Sequence, residues 1–198
     1  MPRKKRLSLD GSMPKVFVIT GPSGVGKGTL IGELRKRVPG LELSVSATTR
    51  QPREGELDGR DYHFLDPEEF DRRVEAGDFL EHATYSGHRY GTLRSEVDRR
   101  LAEGTSVLLE IEVQGARQIR DAMPEALLVF IAPPDPEALR RRLEGRGTDS
   151  PEAIDERLRT AEGELAAQQE FQHVVVNDEI DRAAEELGRV VRAELTAD

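Results

Sequence analysis

Gly21-Pro22-Ser23-Gly24-Val25-Gly26-Lys27-Gly28-Thr29 follows directly on the apolar run Val16-Phe17-Val18-Ile19. Behind it, Leu30, Ile31, Leu34 and Val38 recur at helical spacing. The order is strand, glycine-rich loop, helix, which is the arrangement that cradles nucleotide phosphates. Glycines let the backbone curl so that successive N–H groups point inward at an anion. The helix N-terminus adds partial positive charge, and Lys27 supplies a full charge for the outer phosphates. A plain glycine-rich turn with a solvated lysine would account for neither the strand before nor the helix after. One slot departs from the strict P-loop pattern: Gly28 stands where Ser or Thr is expected, and Thr29 comes one residue later.

The rest of the chain fits a globular enzyme built around that loop. Its 198 residues suit one core with small insertions; 36% are hydrophobic and 34% charged. There is no cysteine, so disulfides and thiolate metal sites are excluded. No apolar stretch is long enough to span a bilayer, and no apolar segment follows the basic start Met1-Pro2-Arg3-Lys4-Lys5-Arg6, so a secretory signal is not expected. A cytoplasmic protein without a membrane partner is the expectation. The net charge of −9 argues against broad nucleic-acid binding. Residues 1–12 read as a disordered basic tail, with a small anion-binding arm as the alternative.

Four unalternated apolar runs, Val16–Ile19, Val107–Leu109, Leu127–Ile131 and Val174–Val176, suit strands buried on both faces of a parallel sheet, and a fifth strand is expected near Leu41–Val45. Three helix starts share one device at Asp66-Pro67-Glu68, Asp135-Pro136-Glu137 and Ser150-Pro151-Glu152: a capping side chain, proline at the first helical position, and an acid facing the helix dipole. Amphipathic faces follow Pro151 (Ile154, Leu158, Ala161, Leu165) and recur near the end of the chain (Ile180, Ala183, Leu187, Val190, Val191). The fold class is α/β, with a doubly wound parallel sheet flanked by helices. The core is expected over 13–45 and 92–198. Residues 46–91, polar and rich in Arg, Tyr and His with strand-like pieces at Asp61–Leu65 and Phe79–Tyr85, read as an inserted subdomain. The glycine-flanked charged turn 144–150 reads as part of a lid spanning about 142–157.

A second anion site is expected beside the insert. Arg50 and Arg53 lie three apart next to Pro52, with Tyr62 and Tyr90 further on. Arginine offers a planar fork to phosphate oxygens, and a tyrosine hydroxyl adds a neutral donor. The strings GPSGVGKGT, SVSATTRQPREGE, GRDYHF, RYGT, LEGRGT and VVVND, in this order and spacing, resemble the guanylate kinases from about Val16 to about Arg192.

That resemblance implies a P-loop kinase core, an inserted GMP-binding subdomain and a small lid, with ATP and GMP as partners and Mg²⁺ accompanying ATP. It implies that Gly21, Pro22, Ser23, Gly24, Val25, Gly26, Lys27, Gly28 and Thr29 bind the ATP phosphates and that Asn177 contacts adenine. It implies that Arg50, Arg53, Tyr62 and Tyr90 hold the GMP phosphate, and that Ser46, Glu81 and Thr92 read the guanine. Guanine presents two adjacent donors, N1–H and N2–H₂, and an ionised carboxylate such as Glu81 is acceptor-only. Arg142, Arg146 and Arg157 match lid arginines that act with Lys27 on the transferring phosphoryl group. Glu110 and Glu112 stand where the family often carries aspartate, which leaves open whether Glu110 meets magnesium through water, the GMP, or both. The metal is expected to be held mainly by water and nucleotide oxygens.

Competing readings are a non-catalytic guanylate-kinase-like interaction module, which would have a degraded P-loop; a related ribose bisphosphate kinase, which would lack the guanine-reading set; and a nucleic-acid-binding ATPase, which would need a basic face.

Overall fold

The computed structural model describes residues 13–85, 87–145 and 151–197. The chain begins β1 (Val16–Thr20), α1 (Lys27–Arg37), β2 (Leu41–Leu43), β3 (Ala47–Thr48), β4 (His63–Phe64), α2 (Pro67–Glu75). It continues β5 (Phe79–Tyr85), β6 (His88–Leu93), α3 (Arg94–Ala102), β7 (Ser106–Glu110), α4 (Val113–Ala122) and β8 (Leu127–Ala132). It ends α5 (Pro136–Glu144), α6 (Pro151–Ala166), a 3₁₀ turn at Ala167–Glu170, β9 (His173–Val176) and α7 (Ile180–Leu195).

The first sheet runs β2-β7-β1-β8-β9, and every neighbouring pair in it is parallel. Its strands fall at the four apolar runs and at the fifth position, near Leu41–Val45, expected from the sequence. The three central strands, β1, β7 and β8, carry no alternation because both of their faces are covered. Phe17 and Ile19 face Leu30 and Leu34 of α1 and Leu187 and Val191 of α7. Val16 and Val18 face the opposite layer, with Val97 of α3 and Ala116 and Ile119 of α4. From β1 the chain turns to the β2 side of the sheet, and after β7 it crosses to the β8 side. That reversal opens a crevice outside the carboxyl ends of β1 and β7, the usual place for a ligand in such a sheet.

A second, four-stranded sheet has the order β4-β3-β6-β5. It packs α2 through a small core of Ala47, Phe70, Phe79 and Leu93, with the Phe70 and Phe79 rings stacked 4.6 Å apart. Among the described residues, strand β5 has no strand partner on its outer side. Helix α4 supplies one: the Gln118 amide Nε2 donates to the His82 carbonyl at 2.8 Å, and its Oε1 accepts from the His82 N–H at 3.1 Å. A single side chain thus satisfies the edge as a neighbouring strand would. It also pins β5 to the helix that begins just beyond β7.

The capping device is observed at two of its three sites. Asp66 accepts from the Glu69 N–H at 2.7 Å and Asp135 from the Ala138 N–H at 2.5 Å, each followed by proline in the first turn. The third cap, Ser150, lies outside the described residues, as do the basic tail 1–12 and the lid residue Arg146.

Candidate active site

The phosphate loop closes tightly on the sheet. Gly21 has φ +139°, and a Cβ there would lie 2.3 Å from the Ile131 carbonyl oxygen in β8, so only glycine lets the loop leave β1 beside its neighbour. Gly26 has φ +94° at the start of α1, and a Cβ would press on the Asn177 amide at 2.8 Å. That amide is already in use, since Asn177 Nδ2 donates to the Val25 carbonyl at 2.8 Å. Arg142 braces the same loop from the other side, donating to the Val25 carbonyl at 2.9 Å and to the Asn177 carbonyl at 2.6 Å. Both residues thereby support the loop's outer wall. Lys27 is buried at the helix start, and its ammonium donates to the Gly21 carbonyl at 2.6 Å and the Pro22 carbonyl at 3.3 Å.

A cavity of about 320 Å³ opens from Lys27 toward the second sheet, and its lining includes Ser46, Tyr62, Glu81, Tyr90 and Glu110. At its far end Glu81 is 4% exposed. Thr92, fully buried behind it, donates its hydroxyl to Glu81 Oε1 at 2.7 Å. Burial pushes the Glu81 carboxyl up to about 7 against the pull of the Thr92 bonds, and the nearby charge of Glu112 pushes the same way as burial. A carboxylate kept this dry is costly unless a donor arrives to pair with it.

The phosphate-holding candidates cluster at the side of the cavity. The Tyr62 and Tyr90 rings meet edge-on at 6.1 Å. The Arg50 guanidinium lies over the Tyr62 ring, 5.2 Å from its centroid, and pairs with Glu56 Oε1 at 2.8 Å. Burial and Tyr90 raise the Tyr62 hydroxyl above its ordinary value, so it stays a donor. Arg53 is exposed; its backbone N–H donates to Glu56 Oε2 at 2.7 Å. Glu56 therefore holds both arginine positions in one loop. Sequence reasoning passed over it, although it sits three residues after Arg53 within the quoted string.

Glu110 stands at the carboxyl end of β7, facing the start of α1: a Cβ on Gly28 would lie 3.9 and 4.0 Å from its two carboxylate oxygens. The missing side chain of the P-loop and the carboxylate across from it thus share one open space. Desolvation raises the Glu110 carboxyl, Lys27 pulls it down and Glu112 pushes it up again. Further in, Glu112 and Glu164 of α6 each bury one oxygen that has no hydrogen-bond partner among the described residues. Burial, and the contact with Glu112, raise the Glu164 carboxyl. One proton shared between them would satisfy both oxygens. Arg157 is half-buried on α6, and Thr29 is exposed at the start of α1.

A phosphate loop on one side of a crevice, and a dry carboxylate with a tyrosine–arginine cluster on the other, define a P-loop kinase acting on a small phosphorylated acceptor. The guanylate kinase family model matches residues 13–194. Among curated relatives, the guanylate kinase of Frankia casuarinae is 57% identical over 170 residues, covering 86% of this chain and 92% of that one. That of Synechococcus sp. (strain CC9311) is 53% identical over 178 residues, 90% of this chain and 94% of the relative. Among solved structures, guanylate kinase from Anaplasma phagocytophilum superposes with a TM-score of 0.74 at 33% identity, covering 94% of this chain and 88% of that one. A sugar kinase from Janibacter sp. HTCC2649, at 16% identity and a TM-score of 0.54, shares the fold alone, with 93% of this chain and 99% of that one covered. The chain belongs to the guanylate kinase family.

Proposed function

We propose that the chain moves the γ-phosphoryl group of ATP onto the phosphate of GMP, giving ADP and GDP, with the residue roles set out below. Family membership carries the reaction. The observation that carries the substrate assignment is the buried Glu81 carboxylate at the end of a cavity that begins at Lys27.

Phosphoryl transfer asks the protein for in-line positioning and charge neutralisation rather than covalent chemistry. The loop amides of residues 21–29 and the Lys27 ammonium hold the donor phosphates, and Lys27 exchanges its loop carbonyls for phosphate oxygens as ATP enters. Arg50, Arg53, Tyr62 and Tyr90 hold the acceptor phosphate, whose ionised oxygen is itself the nucleophile, so no general base is required. Glu81, ionised, accepts from guanine N1–H and N2–H₂; Thr92 orients it, and Ser46 lines the same pocket. The insert 46–91 carries the acceptor, and the segment about 142–157 closes as a lid, bringing Arg146 and Arg157 to the transferring group and expelling water. Arg142 and Asn177 position the loop and the adenine side of the donor.

The residues fit a magnesium ion accompanying ATP. Glu110 faces the position where Gly28 lacks a side chain, and its carboxylate would hold the ion by accepting from one of its waters, which suits a cation that dehydrates reluctantly. When bound, the ion neutralises the charge shared by the two outer phosphates. Gly28→Ser is expected to be tolerated, because the new Cβ meets only ordinary contacts, and to lower the magnesium concentration for half-maximal rate. Thr29→Val is expected to weaken nucleotide binding and leave that concentration unchanged. A magnesium titration at saturating ATP reads both; a large rise in the magnesium requirement of Thr29→Val would make Thr29 the metal's partner instead.

The intact glycine set and Lys27 weigh against a non-catalytic interaction module, and Ser46, Glu81 and Thr92 against a ribose bisphosphate acceptor. A coupled ADP-release assay offering GMP, AMP, UMP and a ribose bisphosphate in turn is expected to show turnover with GMP far above the others. Comparable turnover with the sugar bisphosphate would overturn the substrate assignment.

A further inference from the structure

Helix α4 carries a glycine in a regular helical turn, at position 115, where alanine would be the better helix former. No positive φ requires it. What requires it is Glu81. A Cβ on Gly115 would lie 2.4 Å from Glu81 Oε2 and 3.1 Å from its carboxyl carbon, far inside van der Waals contact.

Moving either partner aside breaks a hydrogen bond. Glu81 is held on its other oxygen by the Thr92 hydroxyl. Helix α4 is fixed against β5 by the two hydrogen bonds between Gln118, one turn beyond Gly115, and the backbone of His82, the residue after Glu81. Thr92 thus sets one side of the carboxylate, and the bare helix backbone at Gly115 sets the other.

We propose that Gly115 is a specificity-determining positioning residue, whose missing side chain is the slot that lets the Glu81 carboxylate reach the height at which it pairs with the base. The inference rests on Glu81 being the guanine reader. Any side chain at 115 drives the carboxylate off Thr92 and toward the cavity, shortening the space for the purine and misaligning both acceptor oxygens.

The test is a cycle of Gly115→Ala, Glu81→Asp and the double variant, read as KM and kcat/KM for GMP, KM for ATP, and the GMP/AMP preference ratio. Gly115→Ala is expected to raise the GMP KM at least tenfold and to erode the preference for GMP, with the ATP KM within twofold of wild type. Glu81→Asp, one methylene shorter, weakens GMP use alone but leaves room for the methyl group. In the double variant the loss is therefore expected to be smaller than the product of the two single losses.

Should Gly115→Ala fail to fold, the double variant is expected to fold, because the clash is with Glu81 and not with the sheet. A GMP KM within twofold of wild type for Gly115→Ala, losses that simply multiply, or a double variant as unfolded as the single would each overturn the proposal. Glu81→Gln separates this from the underlying reading. If that variant loses GMP selectivity while Gly115→Ala does not, the slot is unnecessary and Glu81 still reads the base. If neither loses it, Glu81 is not the reader and the inference falls with it.

Discussion

Glu81→Gln is expected to lower kcat/KM for GMP by roughly 10²–10⁴, because two charge-assisted hydrogen bonds are lost at about 1.5–3 kcal/mol each. ATP binding is expected to change little, since Glu81 stands on the second sheet and its hydrogen bond is to Thr92, not to the phosphate loop. The same substitution is expected to stabilise the empty enzyme. The folded-state value of about 7 stands above the unfolded value of 4.5, so the folded protein holds this proton more tightly than the unfolded chain does. Stability is therefore lost as pH rises between those two values, by about 3 kcal/mol once pH exceeds 7. Glutamine cannot ionise and escapes that loss. Its melting temperature should exceed that of the wild type by several degrees at pH 8 and match it at pH 4, where Glu81 is protonated in both states. A variant that is inactive on GMP and no more stable at pH 8 would show that Glu81 is not strained in the empty site.

Lys27→Met is expected to cost about 10²–10³ in kcat, the usual loss when a donor aimed at developing phosphate charge is removed. The Gly21 and Pro22 carbonyls would lose their shared donor as well, so the loop should open and ATP affinity fall several-fold. GMP binding should persist, because the acceptor cluster stands on the second sheet. Rapid-quench turnover with equilibrium binding of each nucleotide separates these effects. A kcat within tenfold of the wild type would remove Lys27 from the transferring charge.

The sequence displayed the parallel sheet well and the second sheet poorly, for a physical reason. Strands β1, β7 and β8 are buried on both faces, so they stand out as apolar runs, and the edge strand β9 keeps a run of three valines around the buried Val175. Strands β3 and β4 are two residues each and β6 reads His-Arg-Tyr-Gly-Thr-Leu. Their form comes from pairing and from the Phe70–Phe79 core rather than from local preference. The phosphate loop was legible because its glycines answer to backbone geometry, as the contact waiting at Gly21 shows. Glu56, Gln118 and Gly115 were not legible as parts of the site. Each acts on a residue brought near only by the tertiary fold or by a local loop, and none belongs to a pattern with a chemistry of its own. Asn177 and Arg142 were singled out for the nucleotide, and their additional role, bracing the Val25 carbonyl, depends on α5 and β9 ending beside the loop.

We propose that an ionised Glu81 reads the two donors of the guanine edge. Calorimetric binding of GMP and of IMP, which lacks the 2-amino group, to the wild type and to Glu81→Gln tests it most directly. The wild type should favour GMP by roughly 10–100-fold, the worth of one hydrogen bond to a charged group, and the preference should collapse toward unity in the variant. An undiminished preference in Glu81→Gln would mean that another group reads the 2-amino position and that Glu81 is not the guanine reader.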